Sequence, residues 1–276
     1  MFSNLFGSHF SNSGTISFAV TSTNDTELTT LASAGSNFEK SPGTFGAGEV
    51  IRNKLVSGSD VNGASLDGYV DVNWGYAWEL DPNTPAVAPG AGQTFDFYAA
   101  MFHEFTHALG FGSEISGTPA ADRFDEGSTE SGTPGSWSKW DEFLTDKSGA
   151  KLIDPNTQIV DATAFANAQT DGGLFAGPNA FLAFGSQPNL FDDPDQSHLD
   201  EATFSMPTKD MNFMMKPNRD YGPQEARTWS SLEIGILTDL GYSRVSAVPE
   251  PSTFAVILVG ILAVETRRRR RVQVAS

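Results

Sequence analysis

Two histidines one helical turn apart, with an acid beside the first, carry the strongest chemical pattern in the chain: His103-Glu104-Phe105-Thr106-His107. On an α-helix each residue turns about 100°, so His103 and His107 stand about 40° apart on one face. Two neutral imidazoles at that spacing suit a zinc ion at about 2.0–2.1 Å from each, and Glu104 can take a proton from a water on that metal. The competing reading is an amphipathic helix with two surface histidines and nothing between them. The chain has no cysteine and only four histidines. Thiolate zinc sites, disulfides and thiol nucleophiles are therefore excluded, and a metal must rest on imidazoles and carboxylates. A catalytic zinc takes three protein ligands and leaves one position for water. A third imidazole can come only from His9 or His198. His9 lies in a Phe-, Ser- and Asn-rich terminal stretch expected to be poorly held. His198 lies in the acidic segment 195–201, where the plain alternative is a surface histidine. Glu114, Glu126 and Glu130 are carboxylates that could serve instead.

Such residues need elements to aim them. The stretch 97–111 (FYAAMFHEFTHALGF) reads as a helix with Asp96 as N-cap and Gly110 as terminator. Tyr98, Met101, Phe102, Phe105 and Leu109 fall opposite the two histidines, which predicts one buried side and one side that presents the imidazoles. Residues 230–241 read as a second helix, with a capping box between Ser230 and Glu233, a shared face of Leu232, Ile236, Leu237 and Leu240, and Gly241 after it. Residues 14–23 and 68–74 have strand composition, and 81–92 reads as a surface loop. Residues 112–137 are predicted to be an exposed excursion, and 140–153 to be two strands around Lys147-Ser148-Gly149.

The 276 residues are 39% hydrophobic and 11% aromatic, with 27 Gly and 15 Pro. That balance describes a loop-rich but globular chain and argues against both a disordered chain and an all-helical bundle. A net charge of −17 repels phosphate backbones and argues against nucleic acid as a partner.

The segments HEFTHALGF (103–111), SHLDE (197–201), FMMKP (213–217) and SSLEIGILTDLGY (230–242) resemble metzincin-type zinc peptidases of the leishmanolysin-like kind. The resemblance implies a metallopeptidase catalytic domain over 14–243, preceded by an N-terminal segment 1–13 that need not be complete. It implies an α+β fold with a mixed sheet, the HExxH helix, a long insertion over about 112–195, and a C-terminal subdomain with a Met-turn and a final helix. His103, His107 and His198 would be the zinc ligands, Glu104 the general base, and Met215, followed by Lys216-Pro217, the Met-turn residue in preference to Met214. The implied activity is zinc-dependent endopeptidase cleavage of a protein or peptide substrate. The chain departs from the short metzincin pattern at Ser113, where HExxHxxGxxH requires histidine, so the third imidazole must return across 90 residues. A gluzincin-like enzyme with a glutamate third ligand stays open, as does a catalytically silent envelope or matrix protein of the same fold. Tyr221 is too loosely placed for a role. Asp192, Asp193 and Asp195 form an acidic knot that reads as a solvated loop or a calcium site, without EF-hand spacing.

The two ends of the chain differ. Residues 1–10 lack the basic start and apolar run of a signal peptide. At the other end, Val248-Pro249-Glu250-Pro251 precedes an apolar run of 11 residues, 254–264, and five consecutive arginines, 267–271. This tail, within a linker and sorting segment 244–276, resembles the PEP-CTERM sorting signal of bacterial envelope proteins. The resemblance implies a precursor anchored in the inner membrane by residues 253–266 or so, with the arginines on the cytoplasmic side. It also implies an exosortase-type partner that cuts near Pro-Glu-Pro, and a final location in the cell envelope or outside the cell.

Overall fold

The computed structural model describes residues 1–41, 43–115, 134–191, 196–200, 214–215 and 227–245. The chain divides into two units, Met1–Arg244 and Val245–Ser276. Apart from Val245 the second unit, and with it the Pro-Glu-Pro tail, lies outside the described residues. None of the helices among the described residues is long and apolar enough to cross a membrane.

A three-stranded sheet lies beside the histidine helix. Its strands β1 (Phe18–Thr23), β2 (Ala32–Ser36) and β3 (Gly68–Asn73) run in the order β1-β3-β2. β1 is parallel to β3 from Phe18↔Gly68 to Thr23↔Asn73, and β2 is antiparallel to it from Ala32↔Val72 to Ser36↔Gly68. In β3 the period of two buries Val70 and Val72 and leaves Tyr69 exposed, the signature of a sheet with one covered face. Helix α1 (Phe2–His9) precedes the sheet, and α2 (Val50–Val56) stands between β2 and β3 in the chain. Two short pairs follow, β4 (Trp78–Glu79) parallel to β5 (Phe95–Asp96), and β6 (Leu144–Thr145) antiparallel to β7 (Leu174–Phe175). The histidine helix α3 (Phe97–Ala108) leaves β5 directly and packs against the edge strand β2. Helices α4 (Ala162–Asp171), α5 (Pro178–Phe184) and α6 (Ser231–Asp239) complete a mixed, loop-rich α+β structure with six helices among the described residues.

Caps explain where the helices start. The Asp96 carboxylate accepts the Ala99 N–H at 3.0 Å, and Asp161 accepts from Thr163 and Ala164. Ser230 and Glu233 form both bonds of a capping box at α6. α5 and α6 approach closely because Gly235 has no side chain: a Cβ there would stand 2.8 Å from the Asn179 carbonyl oxygen.

Five expectations need correction. Strand β1 begins only at Phe18, because Ser17 instead turns its N–H and hydroxyl to the Asp67 carboxylate. The excursion at 112–137 is buried at both described ends, with Ile115 at 1% and Trp137 at 0% exposure, and 116–133 lie outside the described residues. Within 140–153 the chain makes a 3-10 turn, Asp141–Phe143, and then the two-residue β6, which pairs with β7; the return arm meets it at the isolated bridge Thr145↔Lys151 and forms no second strand. The amino-terminal stretch is well held, since Phe2, Phe6 and Phe10 ring Trp229 at 5.6, 6.4 and 5.7 Å and Phe6 and Phe10 also meet Tyr242. Finally, the face of α3 that carries the imidazoles is itself buried at His103, while Met101 and Phe102 lie in the core.

Candidate metal centre

The three histidines His103, His107 and His198 come together, and one ligand atom from each lies within 4.8 Å of the others. His103 is buried, and the other two are half-buried. Nε2 of His107 stands 3.0 Å from Nε2 of His103 and 3.1 Å from Nε2 of His198. The rings of His103 and His198 are nearly parallel, 13° apart, while His107 stands across both at 83°. A tetrahedral metal with bonds of about 2.0–2.1 Å to nitrogen separates its ligands by about 3.3 Å, so a cation of that kind fits after a small outward shift of the rings.

The far side of each helix imidazole is braced. Nδ1 of His103 lies 2.7 Å from the Met214 carbonyl oxygen, and Nδ1 of His107 lies 2.6 Å from that of Phe111. A carbonyl oxygen only accepts, so each Nδ1 carries the proton and each Nε2 turns its lone pair toward the other rings. Three imidazoles with two tautomers fixed this way form a donor set for a metal ion.

His198 reaches this place through a short set of backbone bonds. Leu199 bridges Leu190, the Phe191 N–H donates to the His198 carbonyl at 2.9 Å, and the Leu199 N–H donates to the Met215 carbonyl at 3.0 Å. Met215 in turn donates its N–H to the Glu233 carboxylate at 2.8 Å, which ties the segment to the start of α6. Met214 and Met215 are both fully buried, and the Met214 sulfur lies 3.5 Å from the Thr106 hydroxyl on α3. The pair 214–215 thus braces the ligands from two directions, Met214 at His103 and Met215 at the strand of His198.

Glu104 faces the edge strand of the sheet, where its Oε2 accepts the Ala34 N–H at 3.1 Å. Because β2 pairs with β3 on its other side, this N–H points out of the sheet. Two buried carboxylates lie at the margins. Glu49, N-cap of α2, is pushed up to about 7 by burial, against the pull of Arg52, and its Oε1 has no hydrogen-bond partner among the described residues. It sits against Gly110, where a Cβ would come within 2.5 Å of that oxygen; the positive φ of 93° needs glycine there as well. Asp141 is raised to about 6, also by burial, although bonds from Ser113 and Ser138 oppose it.

His9 is not part of the cluster. Its ring lies 6.0 Å from Trp229, and burial, with Arg244 nearby, lowers its pKa. Glu114 donates its backbone N–H to Asp141 and is likewise outside the three-histidine group. Glu126, Glu130, Tyr221 and the acidic knot Asp192, Asp193 and Asp195 lie outside the described residues. Sequence reasoning missed Ala34, Ser197, Asp141 and the carbonyls of Phe111 and Met214, because backbone groups and small polar residues have no distinctive pattern. No family model, curated protein or solved structure matches the chain.

Proposed function

We propose that the protein is a zinc-dependent endopeptidase with a metzincin-like catalytic domain. The observation that carries this reading is the convergence of His103, His107 and His198 with Glu104 alongside on the same helix. Zinc, when bound, supplies a Lewis acid that brings the pKa of water near 7 and polarises a carbonyl. His103 and His107 would hold it through Nε2, oriented by the carbonyls of Met214 and Phe111, and His198 would complete the set. Glu104 takes a proton from the attacking water and passes it to the leaving amine, with Ala34 orienting its carboxylate. Met215 takes the part of the Met-turn residue.

The resemblance of the tail to a sorting signal supports a location in the bacterial cell envelope, with an exosortase-type enzyme as the processing partner. An intact carboxyl end on the envelope form, read by mass spectrometry, would refute that assignment.

Activity is tested by incubating zinc-loaded protein with an unfolded casein-type substrate near neutral pH. Wild type should cleave it, a chelator should stop cleavage, and Glu104→Ala should retain zinc while losing at least about 10²-fold in rate. Full activity in Glu104→Ala would refute the mechanism. Zinc binding without cleavage by wild type would favour the catalytically silent envelope protein.

A further inference from the structure

The position that carries histidine in the short metzincin pattern carries Ser113 here, and the structure gives that serine a different task. Ser113 lies just beyond α3, six residues after His107, and its N–H donates to the hydroxyl of Ser197 at 3.0 Å. Ser197 immediately precedes His198. The Ser113 hydroxyl donates to Oδ1 of Asp141 at 2.6 Å and accepts the Ile115 N–H at 2.9 Å. Asp141, at 1% exposure, also receives the Ser138 N–H and hydroxyl, both at 2.8 Å, and the Glu114 N–H at 3.2 Å. Its neighbour Trp140, fully buried and 4.5 Å from the Phe111 ring, donates its indole N–H to the Gln196 carbonyl at 3.2 Å. Residues 140–141 and 113 therefore grip the two residues that lead into His198.

The grip acts where the backbone does not hold itself. Gln196 has a φ of +55°, in the left-handed region that residues with a side chain avoid, so the turn into His198 needs outside bonds to persist. Two such bonds are Trp140 to Gln196 and Ser113 to Ser197; Ser113 lies just past α3, and Trp140 packs on Phe111 there. Outer-shell hydrogen bonds set the orientation of a metal ligand and commonly carry 10- to 100-fold in metal affinity, on the order of one to two powers of ten.

We propose that Asp141 and Ser113 are positioning residues that hold Ser197, and through it the His198 imidazole, in register with the two histidines of α3. The proposal rests on the metal-centre reading above. Asp141 accepts from the Ser113 hydroxyl and so holds Ser113, whose N–H donates to the Ser197 hydroxyl. None of the three belongs to the three-histidine group.

The test is cobalt(II) binding to the full chain, followed by the visible absorption of the bound ion in competition with a chelator, for wild type, Ser197→Ala, Asp141→Asn and the double variant. The melting temperature of each metal-free protein is read in parallel. Each single substitution should weaken cobalt about 10- to 100-fold, and the double variant should be no worse than the weaker single, because both cut one chain of bonds. Metal-free Ser197→Ala should melt within a few degrees of wild type. Unchanged cobalt affinity in Ser197→Ala overturns the clamp, as do losses that simply multiply in the double variant. If Asp141→Asn fails to fold, Ser197→Ala alone decides. Wild type that takes up no cobalt refutes the metal centre itself, whereas tight binding in wild type and variants alike refutes only the clamp.

Discussion

In α3 two imidazoles ride on a helix of 12 residues, capped by Asp96, whose own backbone bonds set their spacing. His198 stands on a segment whose ladder contact, among the described residues, is the single bridge Leu190↔Leu199. The braces differ in the same way: the His107 ring rests on the Phe111 carbonyl four residues on, while the His198 strand depends on Met215, Ser113 and Trp140, all distant in the chain. A helix arrives with its ligands already spaced, but a loop ligand is placed only when the whole domain has closed around it. Two thirds of the donor set is thus preformed, and the last third records the state of the fold.

Ligand removal makes this contrast largest. His198→Ala should cost on the order of 100-fold or more in zinc affinity while α3 and its two imidazoles stay in place, and His9→Ala should cost nothing. Isothermal titration of both variants checks this; equal affinities would mean that the loop half does not hold the metal. A smaller effect separates the halves without mutation. When zinc is removed, hydrogen exchange should quicken at Phe191 and Leu199, whose N–H groups hold the His198 strand, and stay slow in the middle of α3. Uniform protection across both would erase the distinction.

The smallest effect comes from the buried carboxylates, one on each side. Glu49 abuts the end of α3, and Asp141 serves the loop half. Their folded pKa values, about 7 and about 6, lie above the ordinary values of 4.5 and 3.8. A raised carboxyl contributes its full stability below the unfolded value and loses it as pH rises through the folded one. Asp146 acts in the opposite direction: hydrogen bonds from Asn167 and Ser148 hold it at about 2, so its contribution is lost only as pH falls below the ordinary carboxylate range. Between pH 5 and 8 the two raised carboxyls outweigh His9, whose lowered pKa acts the other way, and the metal-free protein should melt at a higher temperature at pH 5 than at pH 8. Glu49→Gln should reduce that difference by on the order of 2 kcal/mol, read by thermal denaturation at both values. A difference that survives the substitution would place the effect elsewhere.

Local codes were legible and distant ones were not. Asp96, the histidine spacing and Gly110 mark α3 within a single window, as Ser230, Glu233 and Gly241 mark α6. The alternation of 68–74 marks β3 in the same way. The amino-terminal helix escaped because its phenylalanines gain stability from Phe102, Phe105, Trp229 and Tyr242, all far away in the chain. The arm after Trp140 forms its short strand with β7, a tertiary choice that composition does not record. At the metal centre the histidines themselves could be counted, since the chain has only four, but the route by which His198 arrives could not. That route is written in serine hydroxyls and backbone carbonyls, which every sequence contains in plenty.

The central claim is that three imidazoles, two from a helix and one from a loop, share one metal ion. X-ray absorption at the zinc edge of the stoichiometrically loaded full chain tests it most directly, with His198→Ala measured beside wild type. The account predicts one zinc per chain with three histidine nitrogens at about 2.0–2.1 Å and one oxygen, and the loss of one histidine shell in His198→Ala. A zinc bound by two histidines in both proteins, or no stoichiometric binding at all, would contradict it.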